Sequence, residues 1–142
     1  MAETDAIVLT FDVDSDDFTR AGEASSRLKR TLKQMGLPPD VIRRISIVMY
    51  EGEINMVIHA RGGKITVTVD NDTVTMVLAD VGPGIPDVEK AMRAGWSTAS
   101  EAVRQQGFGA GMGLPNMKKN ADVLKIDTTV GVGTTVTAVV RL

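Results

Sequence analysis

Residues 41–60, V-I-R-R-I-S-I-V-M-Y-E-G-E-I-N-M-V-I-H-A, place apolar side chains almost all the way round a helical wheel. A helix without a polar face has to be buried. Burial makes Glu51, Asn55 and His59, at successive i, i+4 positions, the feature that any fold of this chain must accommodate, because a carboxylate and an amide out of water need partners. With 3.6 residues per turn and ~1.5 Å rise, Glu51 and Asn55 differ by roughly 40° around the axis and ~6 Å along it, so both can reach one small site. Glu53 lies roughly 160° from Asn55 on the same wheel, on the side shared by Ile42, Met49 and Met56. In an arbitrary helix such a Glu/Asn pair is more often a hydrogen-bonded couple that fixes packing. His59 reads as a satisfied core or helix-end histidine, and the eight methionines read as core filler.

A chain of 142 residues can build one domain with a real core, and a single domain over residues 1–142 is expected. The net charge of -2 offers no broad basic surface, which disfavours nucleic acid or anionic membrane as the main partner. Cysteine is absent, which excludes disulfides and thiolate chemistry and suits a reducing compartment. The first residues are acidic and lack a basic region leading into a long apolar core, and no run approaches ~20 apolar residues. The expectation is a soluble, cytoplasmic protein.

The rest of the chain alternates in the ways that build a sheet. Residues 6–13 suit an early strand, followed by a helix through Phe18, Ala21, Ala24, Leu28, Leu32 and Met35, with Asp14, Ser15 and Asp16 as candidate N-caps. Gly36 ends that helix, and Pro38-Pro39 open the one described above, which stops at Gly62-Gly63. Residues 64–70 and 73–78 alternate strictly about Asn71-Asp72 and predict a hairpin. A short helix over 87–94, capped by Asp87, a loop over 95–113, a helix over 114–120 and a closing hairpin from 123–129 and 134–141 complete the pattern. The order β-α-α-β-β-α-α-β-β predicts an α+β two-layer sandwich, its sheet mixed but mostly antiparallel and covered on one face by helices.

Two glycine-bearing segments add candidate chemistry. Asp80 ends an apolar strand directly before Gly82-Pro83-Gly84. A carboxylate there is costly to desolvate, and a donor such as an adenine amino group would offset the cost; the alternative is a turn-capping aspartate. A backbone without Cβ can approach a flat base or adopt positive φ. In G-F-G-A-G-M-G-L, residues 107–114, glycine at every other position leads into a helix, which suits phosphate; the alternative is a lid with no ligand. The segment is neither a Walker A loop nor a Rossmann fingerprint. Magnesium binds through one or two protein oxygens plus substrate phosphates, a requirement that Asn55 fits. Glu51, one turn earlier, is placed to orient or deprotonate a hydroxyl or water attacking a γ-phosphate.

Taken in order, Glu51-x-x-x-Asn55-x-x-x-His59, Asp80-x-Gly82-x-Gly84, Gly109-x-Gly111-x-Gly113 and Gly133-Thr134-Thr135 resemble the N, G1, G2 and final boxes of the GHKL ATPase superfamily. Each box is loose alone; four in order are specific. The short form resembles the bacterial anti-sigma-factor serine kinases and the switch kinases of stress signalling, especially over G-P-G-I-P-D-V-E-K-A-M-R-A-G-W-S-T and G-A-G-M-G-L-P-N-M-K-K. The resemblance implies ATP and Mg2+ as ligands, Glu51 as catalytic base, Asn55 as magnesium ligand and Asp80 as adenine partner. It further implies Gly82 and Gly84 on the nucleotide side, Gly109, Gly111 and Gly113 at the phosphates with Met112 among them, and Thr134 or Thr135 near the adenine. Many anti-sigma kinases carry an arginine just before the G2 glycines; here the nearest candidate is Arg104.

The function so implied is an ATP-dependent serine/threonine protein kinase that phosphorylates a STAS-domain antagonist, answers to a sigma factor or a PP2C-type phosphatase, and forms a homodimer. Two other readings stand beside it: a nucleotide-gated, non-catalytic binding switch, and a histidine-kinase-like ATPase domain. On the kinase reading Glu53 is expected to tolerate Gln without loss of phosphotransfer, because it faces away from Asn55.

Overall fold

The computed structural model describes residues 6–14, 21–92 and 113–142. In chain order they form β1 (Ile7–Val13), α1 (Glu23–Gln34), α2 (Pro39–His59), β2 (Gly63–Val69), β3 (Thr73–Asp80), α3 (Val88–Ala91), α4 (Gly113–Asn120), β4 (Val123–Thr129) and β5 (Gly133–Arg141). Among the described residues the sheet has five strands in the order β1-β2-β3-β5-β4, and their four pairings are all antiparallel.

Alternation in the strands decides which face is covered. Ile65, Val67 and Val69 of β2, Val74, Met76 and Leu78 of β3, and Val136, Ala138 and Val140 of β5 are buried on one face. Their neighbours Thr66, Thr68, Thr75, Thr135 and Thr137 face the other way and stay half-exposed. A sheet apolar on one side only must be covered on that side, and the helices do so: the fold is an α+β two-layer sandwich. No helix among the described residues is long and apolar enough to cross a membrane.

The central helix α2 lies between α1, the sheet and α4. Ile45, Val48 and Met49 are fully buried on it. Gly52 explains how it approaches so closely, since a Cβ there would run into the Leu78 side chain of β3 and reach within 3.2 Å of Met117 of α4. α4 lies antiparallel along α2. At one end the Arg44 Nε donates to the Asn120 carbonyl at 3.1 Å and its Nη2 to Asp122 Oδ2 at 3.0 Å; at the other end Gly113 meets Asn55.

The first helix begins later than the sequence suggests. Its N-cap is Gly22, in the left-handed region at φ 92° and with no side-chain cap bond of its own, and Ala21 belongs to the preceding turn. Asp14 is not the cap, and Ser15, Asp16 and Phe18 lie outside the described residues. The cap arrives from another helix: Glu53, only 3% exposed, accepts the Ala24 N–H on Oε2 and the Ser25 N–H on Oε1, each at 3.1 Å. Two charge-assisted bonds to free first-turn amides favour a start at Glu23 over any upstream aspartate. Asp87 does cap α3 as expected, its Oδ1 accepting the Lys90 N–H at 3.0 Å.

Candidate functional site

The site is built around the C-terminal half of α2. Glu51 is half-buried and held from α4, where Asn116 Nδ2 donates to Glu51 Oε2 at 3.1 Å. The Asn116 main chain is held in turn, its backbone carbonyl accepting from Asn120 Nδ2 at 2.9 Å. One turn along α2, the Asn55 amide lies against Gly113, the first residue of α4. A Cβ on Gly113 would stand 2.9 Å from Asn55 Nδ2 and 3.1 Å from Oδ1, so any larger residue there would push the Asn55 amide aside. The N-terminal, positive end of α4 therefore lies beside the Asn55 side chain, an arrangement suited to an anion.

A second group closes the far end of α2. Asp80, the last residue of β3, accepts the Thr134 N–H on Oδ1 at 2.9 Å. Burial pushes its carboxyl above the usual Asp range, and the Thr134 bond offsets part of that rise. Among the described residues Asp80 Oδ2 carries no hydrogen bond. Thr134 is 6% exposed and shares its hydroxyl with Thr128 at 2.9 Å, while Thr128 Oγ1 accepts the Ile85 N–H at 2.8 Å. These bonds tie the 80–85 loop to β4 and β5. Register separates the two candidate threonines: Thr134 stands on the helix-covered face with Asp80, whereas Thr135, paired with Ala79 and Asp127, lies on the opposite face.

The loop glycines are explained by the chain itself. A Cβ on Gly82 would sit 3.0 Å from Ala60 Cα, at the end of α2; Gly84 has φ +77°, and a Cβ there would fall 2.7 Å from the Thr129 carbonyl. Positive φ and close approach to neighbouring backbone thus account for the G-P-G spacing before any ligand is considered. His59, in the last turn of α2, is half-buried, and burial pushes its imidazole below the usual His range.

The structure accordingly brings Glu51, Asn55 and Gly113 together along the α2/α4 seam, and Asp80, Gly82, Gly84 and Thr134 around the end of α2. Gly109, Gly111, Met112 and Arg104 lie outside the described residues. Two of these roles have little or no sequence signal. Asn116 could have been flagged only by its place three residues after Gly113 on the same helix face, and the capping role of Glu53 has no local signal at all. For a divalent cation the donors are sparse: among the described residues no group of three or more His, Cys, Asp or Glu could hold one.

This geometry, with the sheet order above, defines a class. A family model for the histidine kinase-like ATPase domain matches residues 15–140, and the chain belongs to that family. Among characterised relatives it is similar to the serine/threonine-protein kinase RsbT of Bacillus subtilis, with 30% identity over 121 residues, covering 82% of this chain and 85% of that one. It is 35% identical over 100 residues to the anti-sigma F factor of Caldanaerobacter subterraneus subsp. tengcongensis, covering 67% of this chain and 66% of the relative. To the anti-sigma F factor of Bacillus licheniformis it is 31% identical over 111 residues, covering 74% and 73%.

Proposed function

We propose that this chain is an ATP-dependent serine/threonine protein kinase that acts as an anti-sigma or switch regulator and phosphorylates a STAS-domain antagonist. The observation that carries the reading is the α2/α4 seam, where one helix offers a held carboxylate and, one turn on, an amide oxygen beside the positive end of the other helix. The names of the relatives, a serine/threonine kinase and anti-sigma factors, support the same reading.

In this reading Glu51 takes the proton of the substrate hydroxyl as that oxygen bonds to the γ-phosphorus. The bond from phosphorus to the β,γ-bridging oxygen breaks, and ADP leaves with its electron pair. Asn55 would hold Mg2+, which when bound neutralises phosphate charge. The Asp80 carboxylate, whose Oδ2 carries no hydrogen bond among the described residues, would accept the adenine amino group, with Thr134 shaping the base pocket beside it. The residues of 107–113 would face the phosphates.

Purified protein, Mg-ATP and a STAS-domain partner should give phosphoserine or phosphothreonine on the partner, with Glu51→Gln slowing transfer by about 10²–10⁴-fold. Absence of phosphorylation by the unaltered protein, or full transfer by Glu51→Gln, overturns the kinase reading. The anti-sigma F relatives favour a second reading, a nucleotide-gated switch that binds a sigma factor or phosphatase. Under it Asp80→Asn abolishes partner control while Glu51→Gln spares it.

A further inference from the structure

We infer that Asn116 is a positioning residue for phosphotransfer: its side-chain amide fixes the Glu51 carboxylate so that one oxygen is held and the other is left to accept the substrate proton. The inference rests on the kinase reading and adds to it a residue on a different helix.

The geometry is specific. Asn116 Nδ2 lies 3.1 Å from Glu51 Oε2 across 65 residues of sequence. An ionised carboxylate only accepts hydrogen bonds, so the amide must turn its NH2 toward Glu51. Among the described residues Glu51 Oε1 carries no hydrogen bond. A glutamate on an otherwise free side chain samples several rotamers, and a base misplaced by about 1 Å can cost on the order of 10²-fold in rate. Asn116 limits that freedom, and its main chain is held in place by Asn120 Nδ2 on its backbone carbonyl and by the Arg44 clamp at the end of the same helix.

The same short helix also carries Gly113 against Asn55. Its three-residue step from Gly113 to Asn116 matches, in antiparallel sense, the four-residue step from Asn55 back to Glu51 on α2. One rigid helix therefore sets both members of the pair relative to each other. A packing role alone would not require a donor aimed at this one carboxylate oxygen.

The test is a double-mutant cycle on the full chain. Single-turnover transfer to a STAS-domain partner is measured for the unaltered protein, Asn116→Ala, Glu51→Gln and the double variant, with the affinity for Mg2+ and a non-hydrolysable ATP analogue measured by calorimetry. Asn116→Ala is expected to slow transfer by roughly 10- to 100-fold, to leave analogue affinity within about twofold, and to have no further effect on the residual rate of Glu51→Gln. Asn116→Asp keeps the shape and replaces the donor with a repelling acceptor, so it should slow transfer at least as much while remaining folded by circular dichroism. A wild-type rate in a folded Asn116→Asp or Asn116→Ala protein, equal slowing in both backgrounds, or a loss of analogue affinity matching the loss of rate overturns the inference. If Glu51→Gln alone transfers at the wild-type rate, or the unaltered protein phosphorylates no STAS partner, the kinase reading fails and this inference with it. A slow Glu51→Gln beside an unaffected Asn116→Ala removes only the inference.

Discussion

Glu53 and Ala24 are 29 residues apart in sequence, yet the Glu53 Oε2 accepts the Ala24 N–H at 3.1 Å and thereby closes the N-terminus of a helix other than its own. With the Ser25 N–H on Oε1, this buried carboxylate joins α1 to the helix that carries Glu51 and Asn55. Glu53→Ala leaves two buried amides without acceptors and should cost about 2–4 kcal/mol, whereas Glu53→Gln keeps one acceptor and should cost about 1–2 kcal/mol. Urea unfolding measures both. Because Glu53 faces away from the Glu51/Asn55 side, the folded fraction of Glu53→Gln should transfer phosphate at the wild-type rate; a folded, ATP-binding but inactive Glu53→Gln protein would mean that the helix orientation is wrong.

Asp80 stands in a different balance, because the burial that would suit a ligand amino group works against its own ionised carboxylate. Its pKa is raised by burial, with the Thr134 N–H pulling the other way. An acid whose pKa rises on folding contributes stability that is fully present below its unfolded value and is lost as pH rises through the folded value. At pH 7 the ionised group is therefore a net cost, and Asp80→Asn, which keeps an oxygen for the Thr134 N–H, should match or exceed wild-type stability. The difference between the two proteins should shrink as pH falls below the usual Asp range. The same variant should bind ATP at least tenfold more weakly, since its NH2 would oppose a donor on the base. Denaturation at several pH values and calorimetry with ATP check the two halves separately, and a less stable Asp80→Asn at pH 7 would contradict the assignment.

How far the chain could be read before its structure depended on the range of each cause. The strand β4 runs Val123–Thr129 and the helix α2 runs Pro39–His59, close to the sequence expectation, because alternation and helical periodicity are local signals. The start of α1 was not legible, since the group that caps it lies on α2, 28 residues beyond Ser25. Which of Thr134 and Thr135 stands on the helix-covered face was not legible either, because adjacent threonines look alike until register assigns them opposite faces. Gly52, unremarkable as a helix residue, matters only once Leu78 and Met117 are packed against it. Local order was thus written in the spacing, and the site's supporting contacts were not.

His59 gives a pH dependence of the opposite sign to Asp80. Burial lowers its pKa, so the unfolded chain binds the proton more tightly, and the stability contributed by the neutral imidazole is present above about pH 6.5, the ordinary His value, and lost as pH falls through the folded value. The thermal midpoint should fall between pH 7.5 and pH 5 in the unaltered protein and fall less in His59→Gln. Equal slopes in the two proteins would show that His59 does not titrate differently on folding.

Gly113 offers the sharpest separation of fold from function. It is the first residue of α4, where a helix tolerates alanine well, so Gly113→Ala has no intrinsic reason to unfold the protein. The added methyl carbon would nevertheless stand 2.9 Å from Asn55 Nδ2 and 3.1 Å from its Oδ1, closer than non-bonded atoms rest, and the end of the amide side chain is what can give way. The displaced oxygen is the one proposed to hold Mg2+. Gly113→Ala should therefore change the unfolding free energy by no more than about 1 kcal/mol while weakening Mg2+-dependent nucleotide affinity by roughly 10- to 100-fold. Nucleotide binding measured without Mg2+ should change far less, because the Asn55 contribution is absent there in both proteins. Equal weakening with and without the cation would assign the loss to a general distortion of α4 and would remove Asn55 as the metal ligand.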